Sequence, residues 1–128
     1  GTTGNIVSRY LVKPIDLDLN SMKENIPPVG ILEGVDLLTE GILTLASVRR
    51  HLKQGVIDND VFYKQDGASR LLHFLLESDE ILVYAGMAIN PAHQNPKLSG
   101  ELSLKARILE EITEELVKLG KKVKLEYF

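Results

Sequence analysis

Three stretches of the chain carry residue types and spacings suited to ligand recognition: Gly1-Thr2-Thr3-Gly4-Asn5, Thr39-Glu40-Gly41, and Gly86 to Gln94. In the first, two glycines bracket two threonines ahead of a helical pattern. The free amides and positive dipole end of a helix N-terminus suit a phosphate or carboxylate. The stretch has neither the lysine of a phosphate-binding loop nor the three spaced glycines of a dinucleotide fingerprint, so an ordinary tight turn is the competing reading. Glu40 stands between a strand pattern and Gly41, where its carboxylate could act as a base or accept a hydrogen bond from a ligand hydroxyl. The alternative is that it caps amides of the next turn. His93 lies between Asn90 and Gln94 in an amide- and proline-rich loop that leaves the strongest strand pattern, and loops held by a sheet are where binding groups gather. A surface histidine without a task is the alternative there.

Other chemistries find less support. His51 and His73 fall on helical patterns and read as packing residues, and no His-x-x-x-His pair offers a zinc site. Ser8, Ser47 and Ser69 lie inside helical patterns, and no glycine-flanked nucleophilic serine is present. Asp58-Asn59-Asp60 begins like a calcium loop, but no glycine follows at Val61 and no glutamate closes the loop. Glu110, Glu111, Glu114 and Glu115 read as the solvated face of a helix. No metal ligand set and no cofactor are expected in this chain.

The elements that must position these residues follow from periodicity. Residues 3–12 read as a helix, with Thr3 as cap, Ile6, Val7, Tyr10 and Leu11 on one face, and Pro14 as the stop. Ile15, Leu17 and Leu19 alternate with Asp16 and Asp18, the pattern of a strand, and 20–29 is a long connection. A strand is expected at 35–39, then a helix at 44–53 capped by Thr44, with Leu45, Val48 and Leu52 inward. The linker 55–66 carries apolar islands at Val56-Ile57 and Val61-Phe62, and 68–77 is helical. The apolar run Ile81-Leu82-Val83-Tyr84 within 80–85 resembles a strand buried on both faces of a parallel sheet. A helix at 103–119 places Leu104, Ile108, Ile112 and Leu116 at four-residue spacing and stops at Gly120. Val123, Leu125 and Tyr127 then alternate as an edge strand.

This order predicts one α/β domain over residues 1–128: a mostly parallel sheet of about four strands with helices on its faces, in Rossmann-like layers, its first strand lying upstream of Gly1. Ligands collect at the carboxyl ends of strands in that architecture, and the three stretches would meet there. The chain has 128 residues, 44% hydrophobic and 26% charged, a size that buries roughly two thirds of the unfolded surface in one core. A net charge of -3 gives a nucleic-acid partner no electrostatic footprint. The absence of cysteine fits a reducing, cytoplasmic setting. No apolar run approaches the roughly 18 residues of a membrane span, so no membrane partner is expected.

The segments GTTGNIVSRYL (Gly1 to Leu11), EGVDLLTEGILTLASV (Glu33 to Val48) and INPAHQNP (Ile89 to Pro96), in this order and spacing, resemble the C-terminal part of the stage II sporulation protein E family of bacterial serine phosphatases. The resemblance covers nearly the whole chain and implies that an apolar strand and a longer protein precede Gly1. It also implies a parent with a catalytic domain like that of the metal-dependent protein phosphatases, where aspartates hold two manganese or magnesium ions that activate a water against phosphoserine or phosphothreonine. Asp66-Gly67 precedes a helix, whereas the family's metal-binding aspartate-glycine pair sits between strands, so no metal ligand carries over to this chain.

Three functions follow as expectations. The chain is a noncatalytic domain of such a phosphatase, binding a small, anionic ligand or a protein partner and signalling to the upstream phosphatase domain. Alternatively it completes the catalytic core structurally, without a ligand. The third is an independent hydrolase using Glu40 and His93, which lacks an activated nucleophile.

Overall fold

The computed structural model describes residues 2–23, 25–55, 65–87 and 96–128. The apolar islands at Val56-Ile57 and Val61-Phe62, the calcium-like start at Asp58, and Asn90, His93 and Gln94 lie outside the described residues. The chain divides into two compact units, Gly1–Leu75 and Leu76–Phe128.

In the first unit, helix α1 (Thr2–Leu11) already includes the threonine turn, so Thr3 is part of the first helical turn and not its cap. The helix ends before Pro14 is reached. Val12 adopts a left-handed conformation (φ 54°), with Val12 N–H donating to Arg9 O (3.3 Å) and Lys13 N–H to Ser8 O (3.1 Å). These are the two bonds of a Schellman stop, which usually has glycine at the left-handed position. Strand β1 (Asp16–Asp18) then pairs antiparallel with β2 (Val29–Ile31), in the register Asp16↔Ile31, Leu17↔Gly30, Asp18↔Val29.

The long connection between these strands has local structure of its own. Leu19–Ser21 forms a 3-10 turn whose first amides are met by Asp18, with Asn20 N–H donating to Oδ1 at 3.1 Å. Ser21 is buried; its hydroxyl donates to Asp18 O (2.6 Å) and accepts from Val29 N–H (2.7 Å), tying the end of β1 to the start of β2. Lys23 and Ile26 exchange backbone bonds of 3.1 Å each.

The strand expected at 35–39 is reduced to a single bridge, in which Gly30 N–H donates to Leu38 O at 2.7 Å. Val35 is held in a turn by its bond to Leu32 O (3.0 Å), which spends the backbone on a local bend instead of a ladder. Helix α2 (Gly41–Gln54) begins three residues earlier than the expected cap at Thr44, with Glu40 at the N-cap. Thr44 is buried in the first turn and its hydroxyl donates to Glu40 O at 2.6 Å, the local back-bond open to a threonine inside a helix. Helix α3 (Gly67–Glu77) follows the next described stretch. Among the described residues, Val29, Leu32, Val48, Leu52, Ala68 and Leu72 are the buried apolar residues of this unit.

In the second unit, β3 (Glu80–Ala85) pairs in parallel with β4 (Lys122–Tyr127), from Glu80↔Lys122 to Ala85↔Tyr127. The parallel pairing needs a long return connection, which α4 (Pro96–Lys118) supplies. It starts before the expected residue 103, with proline at its first position, where the missing amide costs nothing. α4 packs on β4 and buries Ile108, Leu109, Ile112 and Leu116, whereas Leu104 remains 42% exposed. Tyr127 donates its hydroxyl to Glu110 Oε1 at 3.2 Å, and loss of solvent together with this acidic neighbour raises the phenol's pKa. Gly120 (φ 88°) stops α4, with Lys121 N–H reaching Leu116 O at 3.2 Å.

Burial on β3 alternates. Ile81 and Ala85 are buried, but Leu82 and Tyr84 are each 63% exposed, so the expected burial on both faces is burial on one. The fold is therefore α/β, but the described strands form two two-stranded sheets, one antiparallel and one parallel, in place of one mostly parallel four-stranded sheet.

The stops of α1 and α4 use the same hydrogen bonds with different residues, which yields a prediction. A β-branched side chain in the left-handed region costs roughly 1–2 kcal/mol, and Val12 is 85% exposed, so little packing is lost with its side chain. Val12→Gly is expected to raise the unfolding free energy by roughly 1 kcal/mol in urea denaturation followed by circular dichroism, where Gly120→Val should lower it.

Candidate functional site

The first unit holds a cavity of about 370 Å³ lined by Gly4 and Asn5 of α1, Ile15 and Leu17, Pro28 and Gly30, and Leu38, Thr39 and Glu40. Two glycines make room for its central wall. A Cβ on Gly30 would come within 2.7 Å of Leu38 Cδ2, and one on Gly4 within 3.0 Å of Leu38 Cδ1, so Leu38 occupies a notch that larger residues would fill. A third glycine, Gly67 at the start of α3, accepts Thr39 in the same way, with Thr39 Cγ2 2.8 Å from a Cβ built there. Leu38 and Thr39 thus bring the segment before α2 onto α1, β2 and α3.

The chain turns sharply after this wall. Glu40 is extended (φ -94°, ψ 133°) and Gly41 has φ 37°, a value that favours glycine. Glu40 is exposed and makes no side-chain cap bond to α2, so the capping role open to it from sequence is not the one adopted. The cavity presents an amide (Asn5), a hydroxyl (Thr39) and a carboxylate (Glu40) against walls of Ile15, Leu17, Pro28 and Leu38. No lysine, arginine or histidine lines it among the described residues.

Of the residues predicted from sequence, Gly4, Asn5, Thr39 and Glu40 come together here. Thr3 is exposed in the same helical turn without lining the cavity, Thr2 contributes backbone, and Gly41 opens α2. Asn90, His93 and Gln94, which were expected to complete the rim, lie outside the described residues. Ile15, Leu17, Pro28, Gly30 and Leu38 were read only as strand and connection; their convergence on one cavity depends on the hairpin register.

A second polar cluster was not anticipated. Asp66 is 4% exposed and caps α3, accepting from Ser69 N–H at 3.0 Å and from the Ser69 hydroxyl at 2.8 Å, while Lys23 Nζ lies 2.9 Å from Oδ2. Burial pushes the carboxyl pKa up, but the Lys23 ammonium and the two Ser69 donors outweigh it, leaving the group below the usual carboxylate range. The signal was available: an aspartate three residues ahead of a serine at the start of an apolar helical pattern is an N-cap arrangement.

Comparisons with protein-family models, with curated proteins and with solved structures return no match. Among the described residues no three histidine, aspartate or glutamate side chains cluster to hold a metal ion. No described helix is long and apolar enough to cross a membrane.

Asp66 gives a pH prediction. Its folded pKa is depressed, so its contribution to stability is complete well above the unfolded value of about 3.9 and is lost as pH falls through the lower folded value. Asp66→Asn should flatten the acid side of the unfolding free energy plotted against pH. Asp66→Ala should cost roughly 1–2 kcal/mol near neutrality, measured by denaturant titration, through loss of the cap.

Proposed function

We propose that this chain is a noncatalytic ligand-binding domain, the C-terminal part of a metal-dependent protein serine phosphatase of the stage II sporulation protein E family. The observation that supports the ligand reading is the shared cavity: residues from α1 and from the segment before α2, remote in sequence, present three polar groups in a space of about 370 Å³. That volume and the mixture of apolar wall with few polar groups suit a small molecule. The carboxylate among the described lining favours a ligand with an apolar body and a hydrogen-bond donor or cationic group directed at Glu40. The phosphatase part of the proposal rests on the three segments of sequence likeness, and with it come a cytoplasmic setting and manganese or magnesium in the upstream domain. This chain alone is proposed to turn over no phosphoester, with Glu40 and the loop of His93 serving recognition.

The test is a titration of the ¹⁵N-labelled chain with butylammonium and with butyramide. Saturable shifts at Gly4, Asn5, Thr39 and Glu40 are expected, and Glu40→Gln should weaken butylammonium about tenfold while leaving butyramide unchanged. Shifts scattered over the surface, or none, would remove the ligand reading.

One observation favours the second reading, structural completion. Parallel sheets are ordinarily covered on both faces, yet on β3 and β4 the face carrying Leu82, Tyr84 and Phe128 is exposed, with the Tyr84 and Phe128 rings 5.9 Å apart. On this reading β3 and β4 belong to a larger, mostly parallel Rossmann-like sheet completed by an upstream strand and covered by the phosphatase domain. Leu82→Lys with Tyr84→Lys should leave the stability of this chain within about 0.5 kcal/mol, because both side chains are exposed. The same pair should abolish co-sedimentation with a separately produced upstream domain; unchanged co-sedimentation refutes this role for the face.

A further inference from the structure

Among the described residues β4 pairs with β3 alone, so its second edge is bare, and the ladder sets which backbone groups that edge presents. Lys122 N–H donates to Asp79 O and Phe128 N–H to Ala85 O, each at 2.9 Å, so the even-numbered residues of β4 bond toward β3. By the alternation of a strand, Val123, Leu125 and Tyr127 turn their N–H and C=O groups outward, a template for a further strand. The side chains alternate too. Lys122, Lys124, Glu126 and Phe128 lie on the open face, with the two lysine side chains 83% and 67% exposed. Val123, Leu125 and Tyr127 lie on the face packed against α4, where Tyr127 reaches Glu110.

Lysine on an edge strand ordinarily repels an incoming strand, and Lys122 with Lys124 has that protective pattern. Glu126 removes the repulsion for one partner in one register. When two copies of β4 run antiparallel about Leu125, Lys124 stands opposite Glu126 of the partner subunit, and Glu126 opposite the partner's Lys124. These fall at non-hydrogen-bonded positions, where opposed side chains are closest. Val123 then faces the partner's Tyr127, a β-branched residue against an aromatic one, while the outward backbone groups of Leu125 meet those of their copy. Within one chain Lys124 Nζ already lies 2.9 Å from Glu126 Oε1, so the pair joins four side chains in a ring of alternating sign. Moving the centre by one residue sets Lys124 against Lys124 or Glu126 against Glu126, and like charges directly opposite are destabilising. The edge is selected as well, because Glu80 is the one charged residue of β3 and gives that strand no such complement.

We propose that the chain associates with a second copy of itself through β4, antiparallel and two-fold symmetric about Leu125, to make a continuous four-stranded sheet in the order β3-β4-β4-β3. The pairing uses neither the cavity of Asn5 and Glu40 nor the face of Leu82 and Tyr84, and it depends on neither reading above.

Sedimentation equilibrium of the full chain is expected to show a reversible equilibrium between monomer and dimer. Lys124→Glu and Glu126→Lys, each alone, turn both cross-strand pairs into like-charge pairs and should weaken the dimer about tenfold or more, with the circular dichroism spectrum unchanged. An equimolar mixture of the two single variants should associate again as a heterodimer, since the opposed charges are once more unlike. In a sample mixed from labelled and unlabelled wild-type chains, isotope-filtered nuclear Overhauser contacts are expected between the α-protons of Lys124 and Glu126. A monomer at every concentration, single variants that dimerise as tightly as wild type, or a mixture no tighter than its components would each overturn the proposal. Intermolecular contacts confined to Leu82, Tyr84 and Phe128 would also overturn it, assigning association to the open face.

Discussion

An ionised carboxylate removed from water is costly unless donors surround it, and the first unit is organised around meeting that cost at Asp66. Ser69 supplies an amide and a hydroxyl from the first turn of α3, and Lys23 supplies a cation from the connection between β1 and β2. One side chain therefore starts a helix and fixes a turn that has no strand or helix of its own. Because Lys23 is held there, the turn from Lys23 to Ile26 stands opposite α2 and a cavity lies between them. Alanine at this position would leave the turn without its anchor and the helix without its cap.

The smaller cavity has a steric origin. Leu38 and Thr39 are seated on glycines from three other parts of the unit, Gly4, Gly30 and Gly67, with separations that no Cβ tolerates without displacement at Gly30 and Gly67. The close approach brings Glu40 to the edge of α1, and the left-handed Gly41 lets α2 depart at once. The two cavities differ in charge for a simple reason: one is walled by the segment before α2 and ends in a carboxylate, while the other is walled by the middle of α2, where two arginines and a histidine follow one another. The character of each lining follows from the local sequence that the fold exposes to it.

The second unit poses a different balance. A two-stranded parallel sheet gains hydrogen bonds along one edge and burial on one face, with Lys122–Glu80 and Lys124–Glu126 ion pairs on the open face at 3.9 and 2.9 Å. Exposed pairs of this kind contribute little. The stabilising contact is α4 on the opposite face, and Lys121 adds a tether by donating to Leu76 O and Ser78 O at 2.8 and 2.7 Å.

Helices were legible in the sequence because their signal is local: Leu45, Val48 and Leu52, or Ile108, Ile112 and Leu116, repeat at the helical period whatever surrounds them. Their first residues were less so, since Thr44 and Ser103 looked like starts while Glu40 and Pro96 were; the choice among capping groups is made by the preceding chain. β3 and β4 were also legible as strands, but not the exposure of Leu82 and Tyr84, because an apolar run does not say how many faces are covered. Residues 35–39 have strand composition and form a bridge of one residue, since a ladder needs a partner and Leu38 found a glycine notch. Sequence alone determined the α/β class, the buried faces of α2 and α4 at Val48, Leu52, Ile108, Ile112 and Leu116, and the segments around Asn5 and Glu40 as places to look, but not the face of α1, where Ile6 and Tyr10 are exposed. Only tertiary structure decided that those two segments share a cavity and that Lys23 meets Asp66, because both depend on contacts between parts of the chain that carry no mark of one another until the hairpin register and the glycine notches bring them together.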